Sequence, residues 1–311
     1  MLDKIPKVSI IMATYNREHY ILESIQSIQA QTFKDWECII VDDGGTDATR
    51  DILAPVFNED PRFQYFTRTS KYQKGLPGSR NYGLDLARGD YIIFFDDDDI
   101  AHPQNLEFCV SEFSKREISF CRYIRTVFKG DFHYNYNFSK EFSHFNIDER
   151  DINKILKNEL LFNSCSIMWK KECFVNNRFI EHLMYAEEWE LYSRIITNGF
   201  KGISIDKILF YGRKHEESNT GEFFKQDPIR LKSNANAIVL VLKNLKQQNL
   251  LSDEIIRYFV QVSLNYKQYG LYKRIMEVMN LQIYKKIKWM LTYYILPFRL
   301  YFYSFVKKYK K

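Results

Sequence analysis

The sequence predicts an α/β fold: a mostly parallel sheet flanked by helices, followed by a helical C-terminal region. Three observations carry this. Over the first hundred residues short apolar runs alternate with segments of helical period. The apolar runs end in polar or acidic residues, and from about Asp227 onward the pattern turns helical throughout. Strands separated by helices join by right-handed crossovers, which makes neighbouring strands parallel.

Taken in order, Val8 to Ala13 is a continuous β-branched and apolar run, the mark of a strand buried on both faces. A polar turn, Thr14-Tyr15-Asn16-Arg17, follows, and Ile21, Ile25 and Ile28 then recur at helical spacing through Ala30. Cys38 to Val41 is a second strand ending in Asp42-Asp43-Gly44-Gly45. Thr46 or Asp47 can cap the next helix, whose apolar face is Ile52, Leu53, Val56 and Phe57. Phe63 to Phe66 is a third strand, a helix runs from about Ser79 to Ala87, and Tyr91 to Phe95 is a fourth strand closed by four aspartates. Residues 103–221 mix helices and strands. Beyond them Ile238, Leu242 and Leu245 share one helical face, and Ile255, Phe259 and Val262 another. The pattern divides the chain into residues 1–221, with halves 1–100 and 101–221, and a helical region 222–311.

Composition narrows the class. With 45% hydrophobic and 27% charged residues, the 311-residue chain is that of a folded protein with a main domain and a smaller appendage. The five cysteines form no CxxC pair and sit in apolar surroundings, which predicts small buried hydrophobes in a reducing, cytoplasmic compartment and no cysteine-based metal site. The N-terminus runs straight into a strand, so no secretory signal peptide is expected. No GxGxxG follows the first strand and no GxxxxGK[ST] occurs anywhere, which disfavours a dinucleotide-binding dehydrogenase and a P-loop enzyme.

In open parallel sheets ligands bind beyond the carboxyl ends of the strands. Here those ends carry Thr14-Tyr15-Asn16, Asp42-Asp43 and Asp96-Asp97-Asp98-Asp99. Four adjacent carboxylates repel one another unless a cation or hydrogen-bond donors compensate. Oxygen ligands of this kind suit Mg²⁺ or Mn²⁺ bridging to substrate phosphates, against the plainer reading of an exposed acidic turn.

Four blocks in order now carry a family resemblance: Val8 to Arg17 (VSIIMATYNR), Ile39 to Thr49 (IIVDDGGTDAT), Gly78 to Leu84 (GSRNYGL) and Gly89 to Asp99 (GDYIIFFDDDD). Together they resemble glycosyltransferase family 2 of the bacterial surface-polysaccharide type. The resemblance implies the GT-A fold, a Rossmann-like sheet, and an inverting transfer of a sugar from a UDP-sugar donor. Thr14, Tyr15, Asn16 and Asp43 would hold the nucleotide, with Asp43 accepting a hydrogen bond from the uracil imide N–H. Arg80 would approach the base or diphosphate. Of the strand-end acids, Asp96 would lie near the ribose and Asp98 on a Mn²⁺ or Mg²⁺ ion. Asp97 replaces the family's usual Ser and is counted with the nucleotide site, so a register using Asp97 and Asp99 stays open.

Further on, Tyr185 to Arg194 (YAEEWELYSR) resembles the family's E-D-W-x-L block. The catalytic base would then be Glu188, where most relatives carry Asp, with Glu187 in reserve. Trp189 would stack on an acceptor sugar or pack in the core. Arg213-Lys214-His215 resembles an R-x-H element, which would put His215 on the metal. Asn163 to Met168 matches the acceptor side of the pocket.

The tail, residues 285–311, is aromatic and lysine-rich with no acidic residue. Pro297 and Arg299 interrupt its apolar stretch, which points to peripheral association with the inner face of the membrane rather than a span. A polyprenyl-diphosphate-linked glycan acceptor fits that location. The alternatives are a nucleotidyltransferase, which should have a glycine-rich basic loop after the first strand, and a non-catalytic glycan-binding relative. Nucleic-acid binding is not expected. The resemblance implies a β-linked product and glucose, galactose or an N-acetylhexosamine as donor sugar; which of these, the acceptor and the oligomeric state have no motif.

Overall fold

The computed structural model describes residues 5–133, 135–214, 219–266, 268–279 and 295. His215 and, Ile295 apart, the basic aromatic tail lie outside the described residues.

The chain divides into two compact units, the first ending at Leu250. Unit one begins β1 (Val8–Thr14), α1 (Ile21–Gln29), β2 (Trp36–Asp42), α2 (Thr49–Glu59), β3 (Phe63–Thr67), α3 (Leu76–Leu86) and β4 (Tyr91–Asp96). It continues β5 (Ile100–Ala101), α4 (Asn105–Lys115), β6 (Phe120–Phe128), β7 (His144–Ile147), α5 (Ile152–Leu156), β8 (Ile167–Lys170), α6 (Glu187–Thr197), β9 (Gly202–Arg213), α7 (Asn219–Phe224) and α8 (Pro228–Gln247). The compact unit thus runs past residue 221, because α8 packs on α6.

The described strands form one sheet in the order β3-β2-β1-β4-β8-β6-β9-β5, with β7 also on β9. Strands β1 to β4 are parallel; β8 runs against both β4 and β6, and β9 is parallel to β6. The expected mostly parallel sheet is therefore parallel through its first four strands and mixed beyond them. Its faces bury alternate residues of β1. Ile10 and Met12 belong to the apolar cluster that holds Ile21, Ile25 and Ile28 of α1, whereas Ile11 belongs to the one that holds Leu84 of α3 and Leu191 and Ile195 of α6. Burying each such side chain contributes about 1.5–3 kcal/mol. Continuous apolar runs are what a sheet covered on both faces requires.

Two local differences have simple causes. Helix α3 begins at Leu76 rather than near Ser79, because Pro77 occupies its first turn, where a missing N–H costs nothing. The N-cap of α2 is Ala48, while Asp47 Oδ1 accepts from the Thr49 N–H from just outside. Helix α3 also needs its glycines. A Cβ at Gly83 would meet Ile11 Cγ2 at 2.5 Å, and one at Gly78 the Gln73 carbonyl oxygen at 1.9 Å.

Unit two, described by itself, holds α9 (Asp253–Asn265) and α10 (Tyr269–Met279). Ser252 caps α9 by accepting from the Ile255 N–H at 3.2 Å. Ile255, Phe259, Leu271 and Ile275 are buried, so the apolar periodicity of α9 is the helical one expected.

Candidate active site

Register brings the strand ends level: Thr14 pairs with Asp42 across β1–β2, and Ala13 with Asp96 across β1–β4. The polar residues after these strands therefore converge on one edge of the sheet. Asn16 takes a left-handed conformation (φ 52°), which Asn tolerates, and its Oδ1 accepts from the Thr46 N–H at 2.8 Å. That bond ties the β1 turn to the β2 turn. Asp42 Oδ1 closes the second turn by accepting from the Gly45 N–H at 2.8 Å. Thr14 is buried, and Tyr15 stands half exposed with Lys74 Nζ 5.0 Å from its ring centre.

Asp43 is nearly buried and doubly supported. Arg68 Nε at the end of β3 donates to its Oδ1, and Ser79 Oγ of α3 donates to the same oxygen at 3.3 Å. Arg68 is itself held by the Thr69 and Tyr72 carbonyls. A carboxylate fixed through one oxygen has a defined direction in which its second can accept.

The tetrad is met by arginines from four different elements. Arg80 of α3 donates to Asp96 Oδ1 at 3.0 Å, and Arg17 after β1 to Asp97 Oδ1 at 3.2 Å. Arg125 of β6 donates to Asp99 Oδ2 at 2.9 Å, and the Arg213 backbone N–H to Asp99 Oδ1 at 2.7 Å. The Arg213 side chain reaches the Asp98 carbonyl at 3.0 Å, the Gly130 carbonyl at 2.8 Å and the Glu23 carboxylate. Charge is still in excess. Burial pushes the Asp97 carboxyl up to about 7, with Asp98 adding to it and Arg17 opposing. Burial likewise pushes Asp99 up to about 8, with Arg125 opposing and Asp96 and Asp98 adding.

A hard cation fits this arrangement. Asp97 and Asp99 are nearly buried against arginines, whereas Asp96, bonded to Arg80 through Oδ1, keeps about a third of its side chain exposed. Oxygens of Asp96 and Asp99 and the Cys165 sulfur lie within 4.8 Å of one another. Cys165 is a poor member of such a set, since burial drives its thiol well above the ordinary range and keeps it protonated. Cys165 belongs to the Asn163 to Met168 block that the resemblance puts at the pocket, although its apolar context alone predicts only a buried hydrophobe.

On the far side, α6 opens with Glu187 and Glu188 behind Ala186, which takes φ 64°. Carboxylates are favoured at a helix N-terminus. Glu187 is buried, and burial together with Glu188 pushes its carboxyl up to about 7 against Arg80. Glu188 keeps 27% of its side chain exposed and accepts from Arg80 Nη1 at 3.2 Å. Ser233 of α8 brackets Tyr185, accepting from its N–H at 3.0 Å and donating to its carbonyl at 2.8 Å. Trp189 is half buried on the same helix turn.

Arg80 is not at the mouth of the site. Its side chain is 2% exposed, and it lies between Asp96, Glu188 and Ser164 Oγ, which accepts from Nη2 at 3.0 Å. The sequence reading placed it at the base or diphosphate. Its partner Ser164, and Arg17 and Arg213, which hold the tetrad, lie inside blocks that carry the resemblance. Arg68 and Arg125 carry no such signal, because nothing in a strand's own residues says what its arginine will face.

The Glycosyl transferase family 2 profile matches residues 9–174, more than half of the chain. The chain belongs to glycosyl transferase family 2. It is 29% identical over 300 residues to a GalNAc(5)-diNAcBac-PP-undecaprenol beta-1,3-glucosyltransferase of Campylobacter jejuni, covering 89% of this chain and 90% of that one. It is 42% identical over 113 residues to an Escherichia coli UDP-Glc:alpha-D-GlcNAc-diphosphoundecaprenol beta-1,3-glucosyltransferase, covering 36% and 43%. The crystal structure of S. aureus TarS 1-349 in complex with UDP-GlcNAc superposes with a TM-score of 0.70 at 19% identity, covering 88% and 80%. That likeness confirms the fold expected from the sequence. This family 2 glycosyltransferase carries Thr14, Asp42 and Asp96 level at the carboxyl edge of the sheet, and Arg80 joins Asp96 to Glu188.

Proposed function

We propose that this glycosyltransferase moves a hexosyl group from a UDP-sugar onto a saccharide carried on a polyprenyl diphosphate, with inversion, forming a β-linkage in a bacterial surface glycan. The observation that carries it is the single guanidinium of Arg80 touching both Asp96 and Glu188, which puts donor-side and acceptor-side carboxylates within one side chain of each other. The C. jejuni and E. coli relatives named above, both beta-1,3-glucosyltransferases on undecaprenol-linked saccharides, favour glucose as the donor sugar. Residues 1–100 read the nucleotide and residues 101–221 the acceptor.

Asp43 accepts from the uracil imide N–H through the oxygen left by Arg68 and Ser79, with Thr14, Tyr15 and Asn16 framing the nucleoside. Glu188 takes the proton of the acceptor hydroxyl as its oxygen bonds to the anomeric carbon. The bond from that carbon to the diphosphate oxygen breaks, and its electron pair leaves with UDP. Asp98 would hold a Mn²⁺ or Mg²⁺ ion, with Asp96 near the ribose, and the ion when bound would neutralise charge on the leaving diphosphate. Asp97 and Asp99, tied to arginines, hold the turn in shape. By the resemblance alone, His215 would also hold the ion. Trp189 stacks on the acceptor.

No described helix is long and apolar enough to cross a membrane, and a peripheral position on the inner face suits a lipid-linked acceptor. The test is UDP release from a panel of UDP-sugars with Mn²⁺ and an undecaprenyl-diphosphate-linked saccharide. One donor should turn over, EDTA should abolish it, and Asp98→Asn should cut it severely. No UDP release from any nucleotide sugar with acceptor present would sink the reading.

A further inference from the structure

We infer that Arg80 is a positioning residue that acts through Glu188, and that it is not a ligand of the donor. This rests on the proposed function, in which Glu188 is the general base. Three observations carry it.

The first is burial. A side chain 2% exposed has no face left for a diphosphate, and the rings of Phe94 and Phe179 flank the guanidinium, each about 5.6 Å away. The second is commitment. Nη2 donates to both Asp96 Oδ1 and Ser164 Oγ at 3.0 Å, and Nη1 donates to Glu188 Oε2 at 3.2 Å, with Glu187 Oε1 at 3.8 Å. A planar guanidinium held on one edge by Asp96 and Ser164 presents its other nitrogen at a fixed place, so it sets where the Glu188 carboxylate lies. The third is the neighbouring residue. Asn81 Nδ2 donates to the Phe179 carbonyl at 2.9 Å and to Glu181 Oε1 at 2.8 Å, and its Oδ1 accepts from the Phe179 N–H at 3.0 Å. Arg80 and Asn81 together tie α3, in the nucleotide half, to the segment leading into α6. Glu188 is longer than the Asp usual in relatives. It has one more torsion to fix, and Arg80 fixes it.

The test is a double-variant cycle. Arg80→Lys, Glu188→Gln and their combination are compared for kcat with UDP-sugar and acceptor, and for UDP affinity by calorimetry. Arg80→Lys should lower kcat by about 100-fold, within the range of a general base's contribution, with UDP affinity unchanged within about threefold. The double variant should be no slower than Glu188→Gln alone, because the bridge has nothing left to position. Losses that multiply, or a fall in UDP affinity matching the fall in kcat, would overturn the assignment and put Arg80 on the donor. A loss equal only to the fraction unfolded would reduce it to a packing residue. Should Arg80→Lys not fold, Ser164→Ala removes one guanidinium anchor. It should lower kcat several-fold, again only when Glu188 is present; equal losses in both backgrounds overturn the assignment. A wild-type enzyme that turns over no UDP-sugar fails the functional reading instead, an outcome visible before any variant is made.

Discussion

Residues 1–100, which we propose read the nucleotide, and residues 101–221, which we propose read the acceptor, are built on opposite plans. In the first, β1, β2, β3 and β4 lie side by side and parallel, and each contributes the residues immediately after it. In the second, β8 runs against its neighbours, and the key acids sit at the start of α6 behind a long irregular segment. The nucleotide half is held by contacts that follow from strand order. The acceptor half is held by side chains that cross the chain, such as Arg80 to Glu188 over 108 residues and Arg213 to Asp98 over 115. If this division is functional, changes in the first half should move nucleotide affinity and changes in the second should move turnover.

The sharpest break would come from Glu188→Gln. It removes the proton acceptor while keeping the side chain's size, and kcat should fall about 1,000-fold with UDP affinity within threefold of wild type. Glu187→Gln should cost far less, because that carboxyl is buried and already pushed towards its neutral form. Steady-state kinetics on the two variants decides between them. If Glu187→Gln proves the slower enzyme, the base is the buried acid and the geometric argument fails.

This contrast also explains what was legible in the sequence. The four strands, their acidic ends and the order of motifs are local patterns, so Asp42-Asp43 and Asp96 to Asp99 could be picked out from their place after apolar runs, and the resemblance then singled out Asp43, Asp96 and Asp98. The partners that hold them could not. Arg68 and Arg125 are positioned by tertiary packing, and strand periodicity carries no record of which carboxylate an arginine will meet. The length of the first compact unit was hidden for the same reason: α8 packs on α6 although nothing in its own period says so.

A second prediction concerns stability of the acceptor half. His102 follows β5, is fully buried, and accepts from the Gln104 N–H through Nδ1 at 3.0 Å. Burial first, and Lys207 second, lower its pKa to about 4. The folded state therefore holds this imidazole neutral while the unfolded chain binds a proton near pH 6.5. Its contribution is complete above that pH and is lost as pH falls towards 4, amounting to on the order of 3 kcal/mol. Denaturant melts of wild type and His102→Gln across pH 7 to 4 should show the acid-side loss flattened in the variant. Parallel slopes would mean that His102 does not report on this half.

In the nucleotide half the effect should fall on binding. Asp43→Asn replaces an acceptor by a side chain that can donate, and a charged hydrogen bond is worth about 1.5–3 kcal/mol. UDP affinity should fall about tenfold, the preference over CDP should disappear, and kcat at saturating donor should stay within a few-fold. Arg68→Gln, which loosens Asp43 without touching it, should do the same more weakly. A fall in kcat with affinity intact would erase the distinction between the halves.

The smallest expected effect tests how far the bracing of α6 reaches. Ser233 is buried, and its hydroxyl satisfies both backbone groups of Tyr185, three residues before Glu188. Ser233→Ala removes both of these part-buried hydrogen bonds, each worth about 0.5–1.5 kcal/mol, so stability should fall by about 1–3 kcal/mol. The lost bonds also free the residues that orient the first turn of α6. Turnover should therefore drop about threefold with UDP affinity unchanged, the same signature as Glu188→Gln at a fraction of its size. A loss of stability alone, with kcat per folded molecule preserved, would show that α8 supports the fold but does not set the base. The bracing of Glu188 would then rest on Arg80 and Asn81, from the nucleotide side of the molecule.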